Sequence, residues 1–123
     1  MITRDDLTDR FGSFEIERLE KNINDPEAVQ KAIDDATELI NGYVGVRYRL
    51  PMPIMLASIG RAVAVVARYY LYKDKPTDTV RQDYEDIIAW LKDVSSGKVK
   101  LDFGNGVDDS DQSAFYRTGA FVA

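Results

Sequence analysis

A chain of 123 residues with 45% hydrophobic composition is long enough to bury one core, and its net charge of −5 does not suit a general nucleic-acid binder. It has no cysteine, which excludes disulfides and thiolate metal sites, and no histidine, which removes the commonest general base and metal ligand near neutral pH. The charge is segregated: residues 1–46 hold 11 acids and 5 bases, residues 47–75 hold 1 acid and 6 bases, and residues 76–123 hold 9 acids and 5 bases.

The amino-terminal "MITRDDLTDRFG" is charged and has no apolar stretch of the kind a signal peptide needs. Thr3 is expected to cap a short helix with an acidic first turn, and Gly12 to end it. Ser13 restarts helical spacing over "FEIERLEK", and Asn22 to Asp25 reads as a turn. Asp25 is expected as the N-cap of the next helix, with Pro26 at its first position. Val29, Ile33, Ala36, Ile40 and Tyr43 then recur at spacings of three and four, widened by Ala32, Leu39 and Val44.

"NGYVGVRYRLPMP", residues 41–53, follows. Pro51 and Pro53 bar helix until Ile54, so the stretch reads as a stiff corner, with Leu50 as its anchor in the core. Arg47 and Arg49, two apart on what reads as extended chain, are expected to project to one side and to contact an acidic neighbouring subunit.

"IMLASIGRAVAVVARYYLYKD" is apolar nearly all round and should form the central helix, with Ala57, Ser58 and Gly60 allowing close approach. Arg61 and Arg68 interrupt it, so it reads as a buried helix of a soluble protein and not as a membrane span. They are seven apart, share a stripe, and are expected to reach water or pair with acids. A last helix begins at Thr77 or Asp78, carries Val80, Tyr84, Ile87, Leu91 and Val94 on one stripe, and ends at Gly97. Trp90 should border the core or a partner surface.

Beyond residue 97 helical periodicity stops. Val99, Leu101 and Phe103 alternate with polar residues, which allows a short strand near 98–103. "GNGVDDSDQS" reads as an acidic linker, and "AFYRTGAFVA" returns to aromatics. The reading is therefore all-α: a bundle of about four to five helices over residues 1–97, with an extended C-terminal arm over 98–123.

Few motifs carry chemistry. The acids Asp102, Asp108, Asp109 and Asp111 lack the alternating register and closing glutamate of a calcium loop. The pairs Asp5/Asp6 and Asp34/Asp35 fall on a helix start and an exposed helix face. Tyr69, Tyr70 and Tyr72 with Trp90 offer aromatic faces for bases, but without the basic groove that single-strand binders use, and they read as packing residues. No catalytic, cofactor-binding or metal-ligating residue is expected.

Taken in order, "T..DL..RFG", "INGYVGVRYRLPMP", "ARYYLY" and "RQDYEDIIAWLKDVSSGKV" resemble the small virion proteins of Mu-like tailed bacteriophages and prophages, a family of head-completion or head–tail connector subunits. The resemblance covers roughly residues 3–101. It implies a non-enzymatic virion assembly protein, needing no cofactor, that binds the portal protein and meets head-completion or tail proteins. Copies would form a ring matching the portal's symmetry, through which DNA passes without sequence-specific contact, and no membrane is involved. The protein would reside in the virion, and in the host bacterial cytoplasm during assembly. Phe115, Tyr116, Arg117 and Phe121 match the family's aromatic–arginine ending and would dock on the portal or a neighbour. The rival reading is a small DNA-binding or regulatory adaptor that uses the basic segment 47–75. A carboxylate-based enzyme is the weakest alternative.

Overall fold

The computed structural model describes residues 1–104. These form five helices: α1 (Arg4–Phe11), α2 (Ser13–Ile23), α3 (Ala28–Val44), α4 (Ala57–Leu71) and α5 (Asp78–Ser96). The all-α reading holds. α3 and α4 make the most extensive pair, α5 packs on both, and the α1–α2 hairpin closes over α4 and α3.

α4 explains this arrangement. Ile59, Gly60, every residue from Ala62 to Ala67, and Leu71 are all buried. A helix with that little polar surface is stable only when covered on several sides. α3 supplies Val29, Ile33, Ala36 and Ile40, with Ala28, Ala32 and Val44 beside them; α5 supplies Ile87, Leu91 and Val94. Leu7, Ile16 and Leu19 come from the hairpin. Among the described residues no helix is long and apolar enough to cross a membrane.

Gly60 works differently from the expected helix–helix contact. A Cβ there would meet the Ile2 side chain at 3.2 Å, so the chain's second residue covers that part of α4. Ala57 and Ser58 are exposed.

The helix ends are set locally. The Thr3 amide and hydroxyl both donate to the Asp6 carboxylate, at 2.7 and 3.1 Å. Gly12 then turns the chain with φ +94°, a conformation that a side chain would strain. Thr77 caps α5 by accepting from the Val80 amide at 3.2 Å. Asp25 is not the N-cap of α3. Its carboxylate accepts from the Glu27 amide at 2.9 Å and from Lys31 Nζ at 3.0 Å, so residues 25–27 form a turn and α3 begins at Ala28. An aspartate that satisfies the amide two residues on builds such a turn readily.

Past α5 there is no strand at 98–103. The alternation is still used, because Leu101 and Phe103 are buried while Lys100 and Asp102 are exposed. The Leu101 amide donates to Tyr48 Oη at 2.8 Å, and the Phe103 ring meets the Tyr48 ring edge-on at 5.6 Å. The Val99 amide donates to the Asp93 carbonyl of α5 at 3.1 Å, so the segment is tied to the bundle through both backbone and side-chain acceptors.

Arg68 joins four helices. Its guanidinium bonds Glu15 of α2 through Nε and Nη2, at 2.7 and 3.2 Å. It also lies 3.7 Å from an Asp83 carboxylate oxygen on α5 and 4.4 Å from the Phe11 ring centroid on α1. Tyr72 Oη donates to the same glutamate at 2.9 Å. Burial opposes ionisation of Glu15, but the bonds from Arg68 and Tyr72 outweigh it and hold the carboxyl below its ordinary value. A carboxyl whose folded pKa is depressed adds stability above its unfolded pKa and loses it as pH falls through the folded one. Glu15→Gln should therefore cost about 1.5–3 kcal/mol at pH 7, since hydrogen bonds to charged groups are worth that order. The cost should shrink as pH drops below about 4, and urea melts at pH 7 and pH 3 check this.

Candidate subunit-interaction surface

The corner between α3 and α4 is built from both of its ends. Val46, Arg47 and Tyr48 donate backbone bonds to Tyr43 and Val44, so the chain leaves α3 in a tight turn and not as an extended strand. Ser95 of α5 bonds the Tyr43 carbonyl at 2.8 Å. Tyr48 is buried and is the corner's anchor. Leu50, expected in the core, is 39% exposed and folds over Gly45, where a Cβ would meet Leu50 Cδ1 at 3.1 Å. The turn at 45–48 shifts the register so that Tyr48, with a ring and a hydroxyl to satisfy, takes the inner place.

Several apolar residues of the corner are left exposed. Val46 is 66% exposed, Ile54 53% and Met55 42%, with Pro51 and Pro53 exposed among them. Exposed arginines Arg49 and Arg61 flank the same segment. Isolated surface apolar residues are ordinary, but several within ten residues, bordered by cations, have the composition of a protein–protein contact.

Arg47 and Arg49 do not play equal parts. Arg47 is half-buried, and its guanidinium packs against Gly97 at the C-terminus of α5, where a Cβ would meet Arg47 Cζ at 2.9 Å. A cation at that position suits the partial negative charge of a helix end. Arg49 is exposed. Of the pair, Arg47 belongs to the joint that fixes the corner on α5. The arm residues Phe115, Tyr116, Arg117 and Phe121 lie outside the described residues.

The basic middle segment is partly spent inside the fold, because Arg68 is held by Glu15 and Asp83. That pairing joins residues 53 positions apart. The one available signal was that Arg68 lies on a helix otherwise apolar at its level.

The packing tyrosines form a stack across two helices. Tyr69 of α4 and Tyr84 of α5 stack with ring centroids 3.9 Å apart and planes 10° from parallel. Tyr70 lies 6.5 Å from Tyr84, and burial pushes the hydroxyl pKa of both upward. Beside them runs an open groove of about 570 Å³ lined by Asp35, Glu38, Leu39, Tyr69, Tyr70 and Lys73. Trp90 is half-buried and packs on the core. Among the described residues no three acidic side chains converge in a way that would hold a metal ion.

Comparison with known proteins places these features in context. The sequence profile of the family described as "Bacteriophage Mu, Gp36" matches residues 2–117. The chain is 40% identical over 98 residues to the Mu-like prophage FluMu protein gp36 of Haemophilus influenzae, a match covering 80% of this chain and 67% of that protein. It is 34% identical over 74 residues to gene product J of Escherichia phage Mu, covering 60% of this chain and 52% of that protein. The chain thus spans about half the length of the phage Mu protein.

The joint between the corner and α5 makes a prediction. Gly97 has φ +88°, so Gly97→Ala should destabilise by about 1–2 kcal/mol from backbone strain alone. Its clash with the Arg47 guanidinium adds to that. In a double-mutant cycle, Arg47→Ala should relieve the clash and leave the strain, giving a coupling of roughly 0.5–1 kcal/mol in thermal melts.

Proposed function

Because the chain is a phage protein and belongs to the Bacteriophage Mu, Gp36 family, we propose that it is a virion structural protein, a head–tail connector subunit that completes the DNA-filled head. In this reading it binds the portal vertex, several copies close a ring there, and the ring is the platform for tail attachment. It acts by binding and carries out no catalysis.

The observation that carries the reading is the corner between α3 and α4. Val46, Ile54 and Met55 are exposed there beside Arg49 and Arg61. A closed ring needs two unlike faces on each subunit, one fitting the other by rotation. The corner supplies an apolar and basic face. The outer face of α3, with exposed Asp34, Asp35 and Glu38, supplies an acidic one. Apolar contact would provide affinity, and charge would select the orientation.

The adaptor reading over residues 47–75 is less well supported. Its six basic residues do not form one free basic surface, since Arg68 is paired internally and Arg47 is packed on α5. Binding to phosphates requires exposed, clustered cations.

Ile54→Asp combined with Arg49→Glu should leave circular dichroism unchanged and abolish incorporation into filled heads, checked by in vitro head completion. Normal incorporation of that variant would remove the corner from the interface. Deleting residues 112–123 should likewise leave a folded helical protein that no longer completes heads. A truncated protein that completes heads normally would end the docking-arm assignment.

A further inference from the structure

The α1–α2 hairpin is braced within itself and held to α4 more lightly. Arg4 of α1 bonds Glu20 of α2 through both Nε and Nη2, at 2.8 and 2.7 Å, so the two helices are fixed to each other. Between them they bury Leu7, Ile16 and Leu19, whereas α4 alone buries nine residues. Polar contacts of the hairpin with α4 gather at one end of that helix. Glu15 accepts from Arg68 and Tyr72, the Arg68 guanidinium lies over the Phe11 ring, and Arg18 Nη2 comes within 3.5 Å of Tyr72 Oη. A unit with little burial and one polar anchorage is the part of a fold that opens at least cost.

The chain between the hairpin and α3 suits a pivot. Asn24 follows α2 in the left-handed region, with φ 59°, where asparagine is tolerated better than most side chains. The start of α3 is fixed separately: the Asp25 carboxylate accepts from the Glu27 amide and Lys31, and its carbonyl accepts from the Ala28 amide. A rotation at Asn24 therefore leaves α3 as it is. On α4 the hairpin covers one stripe. Ile2 lies over Gly60, and Arg68 meets Glu15 and Phe11. Ala64 stands four residues from each on the same face and is fully buried. Ala62 is buried as completely, but lies about 160° round the helix from Ala64.

We propose that the α1–α2 hairpin is a lid on α4: it undocks as one unit, pivoting at Asn24, when Glu15 lets go of Arg68 and Tyr72, while α3, α4 and α5 stay packed. The open form bares the Gly60–Ala64–Arg68 stripe. It also takes Ile2 away from Met55, since both side chains lie within 4.0 Å of where a Gly60 Cβ would stand. The state of the lid thus reaches the edge of the α3–α4 corner. The lid is independent of the connector reading, and its test uses the isolated protein.

The chain has no cysteine, so one introduced thiol reports its own exposure. Ala64→Cys and Ala62→Cys are made separately in the full-length protein, and labelling by Ellman's reagent is followed under native conditions. The thiol of Ala64→Cys should react at least tenfold faster than that of Ala62→Cys, because opening the lid uncovers only the former. Adding Glu15→Gln to Ala64→Cys should speed its labelling by about tenfold or more. Equal rates at the two positions overturn the lid, and so does a rate in Ala64→Cys that Glu15→Gln leaves unchanged. Amide hydrogen exchange on the unsubstituted protein gives a second reading that needs no cysteine variant to fold. Helices as short as α1 and α2 are marginal in water once undocked, so their amides should exchange together and at least tenfold faster than those of α3 and α5. Uniform protection across all five helices overturns the proposal.

Discussion

Helix α4 has almost no face that can be left to water, and the rest of the structure answers that constraint. Six consecutive buried residues, Ala62 to Ala67, leave no polar stripe along its middle. The cover must therefore come from several directions: α3 and α5 along its length, the α1–α2 hairpin across it, and Ile2 over Gly60. Arg68, the one charged residue near its end, points where the hairpin and α5 meet, and its charge is met by Glu15 and Asp83. The cation is 17% exposed, so water screens it weakly and the geometry of its partners matters. The hairpin is thereby positioned by a directional contact as well as by non-directional burial.

Much of this was legible in the sequence, and the reasons differ by element. The stripes of α3 and α5 were readable because one-sided burial leaves a spacing of three and four; that spacing selects every buried residue of both helices except Ala28, while Leu39, Tyr43 and Tyr84 on it are only half-buried. Thr3, Gly12, Thr77 and Gly97 were readable because capping depends on local chemistry. Asp25 misled because aspartate before proline serves a turn as well as a cap, and the choice depends on where the following helix must start to bury Ala28 and Val29. Leu50 misled because hydrophobicity ranks it above Tyr48, whereas the tight turn after Val44 decides which of them faces inward. The Arg68–Glu15 pair and the Tyr69–Tyr84 stack depend on tertiary placement, which no local pattern records.

Charge segregation along the chain overstates the basic surface. The middle segment has a net charge of +5 in sequence, but its cations divide into two kinds. Arg68 and Arg47 are built into joints, one holding the hairpin and one seated on the end of α5. Arg49 and Arg61 remain at the surface beside the apolar corner, and Lys73 and Lys75 at the surface after the other end of α4. An internal cation contributes little to the field at a distance, because its partners cancel it. The outward potential of this segment is consequently smaller than its composition implies, which weakens a phosphate-binding reading more than a protein-binding one.

The protein-binding reading does not depend on the charges. Val46, Ile54 and Met55 are exposed because the turn after α3 and the two prolines hold the corner away from the core, and not for lack of a core to join. Tyr48 and Met52 fill the inner positions, so turning the outer residues inward would displace side chains already packed. The same rigidity lowers the ordering cost of binding, since a corner fixed by the Arg47–Gly97 and Ser95–Tyr43 contacts has little conformational freedom left to lose. An apolar surface held rigidly outward is favourable for a chain that meets a partner, and carries an aggregation liability for one that does not.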